Sequence, residues 1–149
     1  MARLPDSAYS KPSYSGGSII GLHQVESGVF CEKVVLVPFG ILQVFHSVTL
    51  STTGIVVSTN IQTVTGWSLA NKDKNTVFVK IYDQITIPTI ADIPIITIGV
   101  GPTNTAELAL PFGLDFKVGL ALRASLNPAF NDATAIIANT LSVNLFYTQ

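Results

Sequence analysis

The run Val77-Phe-Val-Lys-Ile-Tyr-Asp83 constrains this chain more than any other stretch. On an extended backbone Val77, Val79 and Ile81 share one side, and Phe78, Lys80 and Tyr82 share the other. Period two with bulky residues on both sides predicts a strand covered on one face and partly covered on the other.

Comparable runs recur from Glu32 onward. Val34 to Val37 is apolar and stops at Pro38, and Ile41 to Leu50 alternates loosely. Gly54 to Thr59 holds Ile55, Val56 and Val57. Thr65 to Asn71 sets Trp67 and Leu69 against Gly66, Ser68 and Ala70, and residues 71–75 form a polar turn. Ile85 to Ile93 reads as a connector between Pro88 and Pro94, followed by a strand from Ile95 to Val100. Thr105 to Leu110 is a strand that Pro111 should stop, and Phe112 to Phe116 a turn with aromatic plugs. Val118, Leu120, Leu122 and Ala124 alternate with Gly119, Ala121 and Arg123. Ala133 to Ala138 suits one helical turn, and Leu141, Val143 and Leu145 belong to a last strand.

No helical segment is long enough to cover a sheet, and a parallel sheet needs crossover helices. The expected fold class is therefore all-β: a two-sheet antiparallel sandwich, jelly-roll-like, with an extended N-terminal arm. An immunoglobulin-like sandwich is the alternative, with Trp67 in its core but without the usual cysteine pair. Residues 1–30 are assigned to the arm and 31–149 to the sandwich domain. Glycine and proline punctuate the arm, and neither period persists in it. Tyr9, Tyr14, Ile19, Ile20 and Leu22 nevertheless give it apolar anchors. Such anchors suit an arm lying along a neighbour, or one covering the bottom of its own core.

Charged residues make up only 11% of the 149, with a net charge of -1, against about 25% in an ordinary soluble domain. Such a surface is poorly protected against association, so burial against protein is one reading and a polar, uncharged Thr/Asn surface the other. Phosphate tracking needs many unopposed cations. Here Lys72 and Lys74 flank Asp73, so no nucleic acid is expected as a partner. No apolar stretch approaches the roughly 20 residues that span a bilayer, so no membrane is expected either. Met1 to Tyr14 lacks the apolar centre of a signal peptide.

The residue types that carry chemistry are scattered. Cys31 stands alone and reads as a small buried hydrophobe. His23 and His46 have no neighbours at metal-ligand spacing, so neither a metal nor a cofactor is expected. Asp83, Asp92, Asp115 and Asp132 fall at strand ends or in loops, where Asp forms turns. A carboxylate pair for glycoside hydrolysis would have to come from them. Gly99-Val-Gly101-Pro102 precedes a strand, so it offers no helix N-terminus to an anion. Tyr82 and Tyr147, like the arm tyrosines, suit packing or subunit contact. No catalytic residue is assigned, and the chain is not read as an enzyme.

Gly66-Trp-Ser-Leu-Ala-Asn71 and Val77 to Asp83 are followed by Pro88-Thr89, Asp92-Ile-Pro-Ile-Ile-Thr-Ile98, Leu110-Pro-Phe-Gly-Leu114, Gly119-Leu-Ala-Leu122 and Val143-Asn-Leu-Phe-Tyr147. This ordered set resembles a group of small tailed-bacteriophage virion proteins, over roughly residues 65–147. Their Gly-rich stretch corresponds to Gly99 to Asn104, and their acidic loop to Asn131-Asp132. The resemblance implies a sandwich or jelly roll acting as capsid cement or decoration, at the capsid surface of a virion assembled in the host cytoplasm. Its implied partners are the major capsid protein and its own copies, as a homotrimer. The alternative is a tail spike, fibre or receptor-binding module, with Gly101 to Asn104 and Ser125 to Asn131 as the binding loops.

Overall fold

The computed structural model describes residues 21–25, 28–32 and 40–149. The chain divides into two units, Met1–Phe39 and Gly40–Gln149. In the first, β1 (Gly21–Val25) and β2 (Gly28–Glu32) pair antiparallel, with Gly21 opposite Glu32 and Val25 opposite Gly28. Both strands begin within the stretch assigned from sequence to the arm, and residue 31, taken there as the start of the sandwich domain, lies in β2. Tyr9, Tyr14, Ile19, Ile20 and the run Val34 to Val37 lie outside the described residues.

The second unit holds β3 (Leu42–Ser47), β4 (Ile55–Ser58), β5 (Gln62–Asn71), β6 (Val77–Tyr82), β7 (Ile96–Val100), β8 (Thr105–Phe116), β9 (Leu120–Ser125) and β10 (Leu141–Thr148). One four-stranded sheet runs β3-β10-β5-β8 and the other β4-β9-β6-β7, every pairing being antiparallel. The pairs β6–β7, β5–β8, β4–β9 and β3–β10 nest outward from the connection at residues 83–95. Every link except β6–β7 crosses between the sheets. A folded-over antiparallel ribbon of this kind is a jelly roll.

Period-two patterning explains the core. Val64, Trp67 and Leu69 of β5 join Leu141, Val143 and Leu145 of β10 on the inner face of one sheet. Val77, Val79 and Ile81 of β6 join Leu120, Leu122 and Ala124 of β9 on the inner face of the other. Trp67 is buried, as its strand parity requires.

Two local expectations are corrected. Pro111 does not end its strand, and β8 runs on to Phe116. Proline is tolerated there because β8 is an edge strand. The ladder also breaks at this point: Gly66 pairs with Ala109, whereas Val64 pairs with Leu114. The extra residues bulge outward, helped by Gly113 at φ 68°. Phe112 at the bulge is 99% exposed, and Phe116 alone is the buried aromatic plug. Residues 133–138 form no helical turn. Part of that backbone is engaged elsewhere: the Thr134 carbonyl accepts from Leu126 N (3.2 Å), while Thr134 Oγ1 donates to Asp132 Oδ1 (2.7 Å).

Candidate interaction surface

The centre of the sheet β4-β9-β6-β7 is covered on both sides, and every residue of β9 is buried. Its outer face carries Lys80 and Arg123, which sit opposite each other on β6 and β9. Both side chains are fully buried. A buried cation is costly unless its donors are satisfied. Arg123 meets that demand with backbone carbonyls. Nε donates to Thr52 (2.9 Å), Nη1 to Thr89 (3.3 Å) and Phe130 (3.4 Å), and Nη2 to Asp132. Lys80 Nζ donates to the Ala129 carbonyl. Ala124 N adds a bond to the Ser51 carbonyl (3.0 Å). One guanidinium therefore ties three connections, residues 51–54, 83–95 and 126–134, onto the sheet. Burial lowers the Lys80 pKa, with Arg123 acting in the same direction and Asp132 against it. Burial raises that of Tyr82, whose hydroxyl has no hydrogen-bond partner among the described residues.

The aspartates in these connections shape backbone. Asp92 Oδ2 accepts from Thr89 N (2.7 Å) and Oγ1 (2.9 Å). Asp132 accepts from Asn127 N and Nδ2 (3.1 Å each) and from Thr134 Oγ1. Asp83 accepts from the amides of Lys117 (3.0 Å), Val118 (2.7 Å) and Gly119 (3.1 Å). This cap closes the turn before β9, and it leaves Val118 exposed rather than in the core set its parity suggested. Partial burial would raise the Asp83 and Asp132 pKa values, but the donated hydrogen bonds outweigh it and hold both low. Thr89 holds Asp92 low in the same way. A glycosidase acid needs the opposite shift. Asp115 lies within β8 rather than in a turn, and it accepts from Thr63 Oγ1 (2.7 Å).

The two loops considered for recognition are anchored by different groups. Gly101 to Asn104 is bound to the polar turn at 71–75. Asn71 Nδ2 donates to the Gly101 carbonyl (2.9 Å), Thr103 N to that of Asp73 (3.0 Å), and Asn71 N to that of Asn104 (2.9 Å). Ser125 to Asn131 is held by Lys80 and Arg123.

What the pinned connections present outward is apolar. Ile85, Ile87, Ile90, Ile93 and Ile95 are each more than half exposed, and Phe130 is nearly so. Five exposed isoleucines within eleven residues make this segment a candidate interaction surface.

The other sheet has an open outer face with cross-strand rows. His46, Asn144, Ser68 and Glu107 form a polar row. His46 Nδ1 lies 2.8 Å from Asn144 Oδ1, and Ser68 Oγ donates to Glu107 Oε1 (2.9 Å). Val44, Phe146, Gly66 and Ala109 form the apolar row beside it. Leu42, Phe146, Gly66 and Glu107 line a shallow depression there. Its floor needs glycine, since a Cβ on Gly66 would stand 2.5 Å from the Leu108 carbonyl oxygen. Residues 40–71 and 133–149 contain no Asp, Glu, Lys or Arg, so the only charged side chains in this sheet are Glu107 and Asp115 on β8.

Among the described residues no three His, Cys, Asp or Glu are grouped to hold a metal ion, and no helix is long and apolar enough to cross a membrane. His23 and Cys31 lie in β1 and β2 of the other unit. No protein-family model, curated protein or solved structure matches the chain. The features of this candidate surface that the sequence does not reveal are Arg123, legible only as the minor parity of its strand, and the five isoleucines, legible only as a connector and the start of the next strand.

Proposed function

We propose that the protein is a structural subunit of a virus particle, of the capsid cement or decoration type, which works by packing against the major capsid protein shell and its own copies. The observation that carries this reading is the isoleucine surface at residues 85–95, displayed on a connection that Arg123 pins to the sheet. A pinned apolar surface loses little conformational entropy when a partner covers it. The jelly-roll topology, which recurs in viral capsid domains, supports the reading. So does the scarcity of charge, and the order of motifs over residues 65–147 resembles that of small tailed-phage virion proteins.

The test is occupancy on purified particles. Fully burying an isoleucine contributes roughly 1.5–3 kcal/mol, and covering one that is already half-buried about half of that. Ile90→Asp with Ile93→Asp should therefore fold normally, because both side chains are exposed, yet lose occupancy at least tenfold. Full occupancy by a folded double variant sinks the proposal.

A further inference from the structure

We infer that β3 is a docking edge for β3 of a second copy, paired antiparallel about a two-fold axis, so that two β3-β10-β5-β8 sheets become one continuous sheet. The inference rests on the reading of the protein as a self-associating subunit, but it concerns a contact separate from the isoleucine surface.

An unpaired edge strand presents alternate N–H and C=O groups to any strand that approaches, and proteins normally block such edges. Four edges exist in the second unit: β3, β8, β4 and β7. Pro111, the bulge, Glu107 and Asp115 interrupt β8, and pairing it with its own copy would bring carboxylates together. β4 has four residues and an irregular register between Val56 and Ser58. β7 has five residues, bracketed by Pro94 and Pro102. β3 has none of these devices. It runs six residues in regular register with β10, its only partner among the described residues, and it contains no proline and no formal charge.

Charge and face both select a second copy as the occupant. The stretch from Gly40 to Asn71 carries no Asp, Glu, Lys or Arg, so two such edges meet without repulsion. Pairing β3 with β8 of a neighbour would instead give a head-to-tail contact, which builds rings or filaments rather than a two-fold dimer, and would meet the proline and bulge of β8. In a register centred on Val44, that residue faces its counterpart, and Leu42 faces His46 of the second copy. The apolar row Val44, Phe146, Gly66 and Ala109 then continues across the axis into the same row of the neighbour. Leu42 and Val44, 60% and 55% exposed, are the side chains this pairing covers.

An edge contact of this length lies at the small end of specific interfaces, below about 1,200 Å². The full chain should therefore be monomeric near about 1 μM and dimeric near about 100 μM. Sedimentation velocity reads this directly. Val44→Lys should weaken the dimer at least tenfold, whereas Phe112→Ser on the opposite edge should leave it unchanged. In a Cys31→Ser background, Val44→Cys should form a covalent dimer under mild oxidation, and Leu108→Cys should not. A trimer, or a dimer indifferent to Val44→Lys, overturns the inference. So does a monomer at every concentration, and protected β3 amides in that monomer would mean that another part of the chain fills the edge. Particle occupancy of the isoleucine double variant reports on the other contact, so the two readings fail separately.

Discussion

Arg123 is a fully buried cation that bonds carbonyls from three connections and serves as a hub. Its guanidinium suits this role because it offers five donors in a rigid plane, whereas an ammonium offers one point of attachment. Arg123→Met keeps much of the volume and removes the buried charge, but it strands the carbonyls of Thr52, Thr89, Phe130 and Asp132. Each buried acceptor left unpaired costs about 1–3 kcal/mol, reduced where water reaches the loop. The expected net loss is about 3 kcal/mol, read as a Tm lower by roughly 10 °C. Arg123→Lys should fall between the two, and in both variants protease cleavage within residues 126–134 should quicken. A wild-type Tm for Arg123→Met would show that the connections hold themselves. Gly66→Ala probes the other sheet. Its Cβ would lie 2.5 Å from the Leu108 carbonyl oxygen, so β5 or β8 must shift. A loss of about 1–3 kcal/mol is expected, measured by denaturant titration.

At the scale of elements, the connections depend on ionised aspartates. Asp83, Asp92 and Asp132 all have folded pKa values below their ordinary range, because donors are aimed at the charged carboxylate. A depressed folded pKa means stability that is present above the unfolded value, near 3.9, and lost as pH falls through the folded value. Tm should therefore be nearly constant from about pH 7 to 5 and decline below about pH 4. Asp83→Asn should start lower and decline less, because the amides of Lys117, Val118 and Gly119 then lack their charged acceptor at every pH. Thermal melts across this range decide it, and an identical acid slope in Asp83→Asn would refute the assignment. Most strands were legible in the sequence because burial on one face writes period two directly, as at Val77 to Tyr82 and Leu141 to Leu145. The missed features depend on contacts distant in sequence. Pro111 reads as a stop unless its strand is known to lie on an edge. Ala133 to Ala138 reads as helical unless the Thr134 carbonyl is known to accept from Leu126 N at the end of β9. Lys80 and Arg123 look like solvent-facing positions until residues 83–95 and 126–134 are seen to fold over them. For the same reason the isoleucines of the candidate surface were visible as residues, but their shared exposure was not.

At the scale of the whole molecule, the nested pairing dictates an order of assembly. β6 and β7 are joined by residues 83–95 alone, whereas β3 and β10 enclose the rest of the second unit. Closing a longer loop costs more entropy before any contact repays it. The innermost pair, with β9 added beside β6, should therefore form in the folding transition state, and β3 with β10 should close later. Ile81 of β6 and Leu145 of β10 probe these stages, since both are about 1% exposed core residues. Truncation of either to alanine should cost about 2–5 kcal/mol, but the loss should partition differently. Ile81→Ala should slow folding by roughly thirtyfold. Leu145→Ala should leave the folding limb of the chevron almost unchanged and accelerate unfolding. The reverse pattern would mean that the terminal strands close first. Late closure also bears on self-association. The uncharged edge of β3 is then completed only at the final step, when most of the apolar core is already covered. This ordering limits the time for which a chain with so little surface charge exposes both an open core and an open edge.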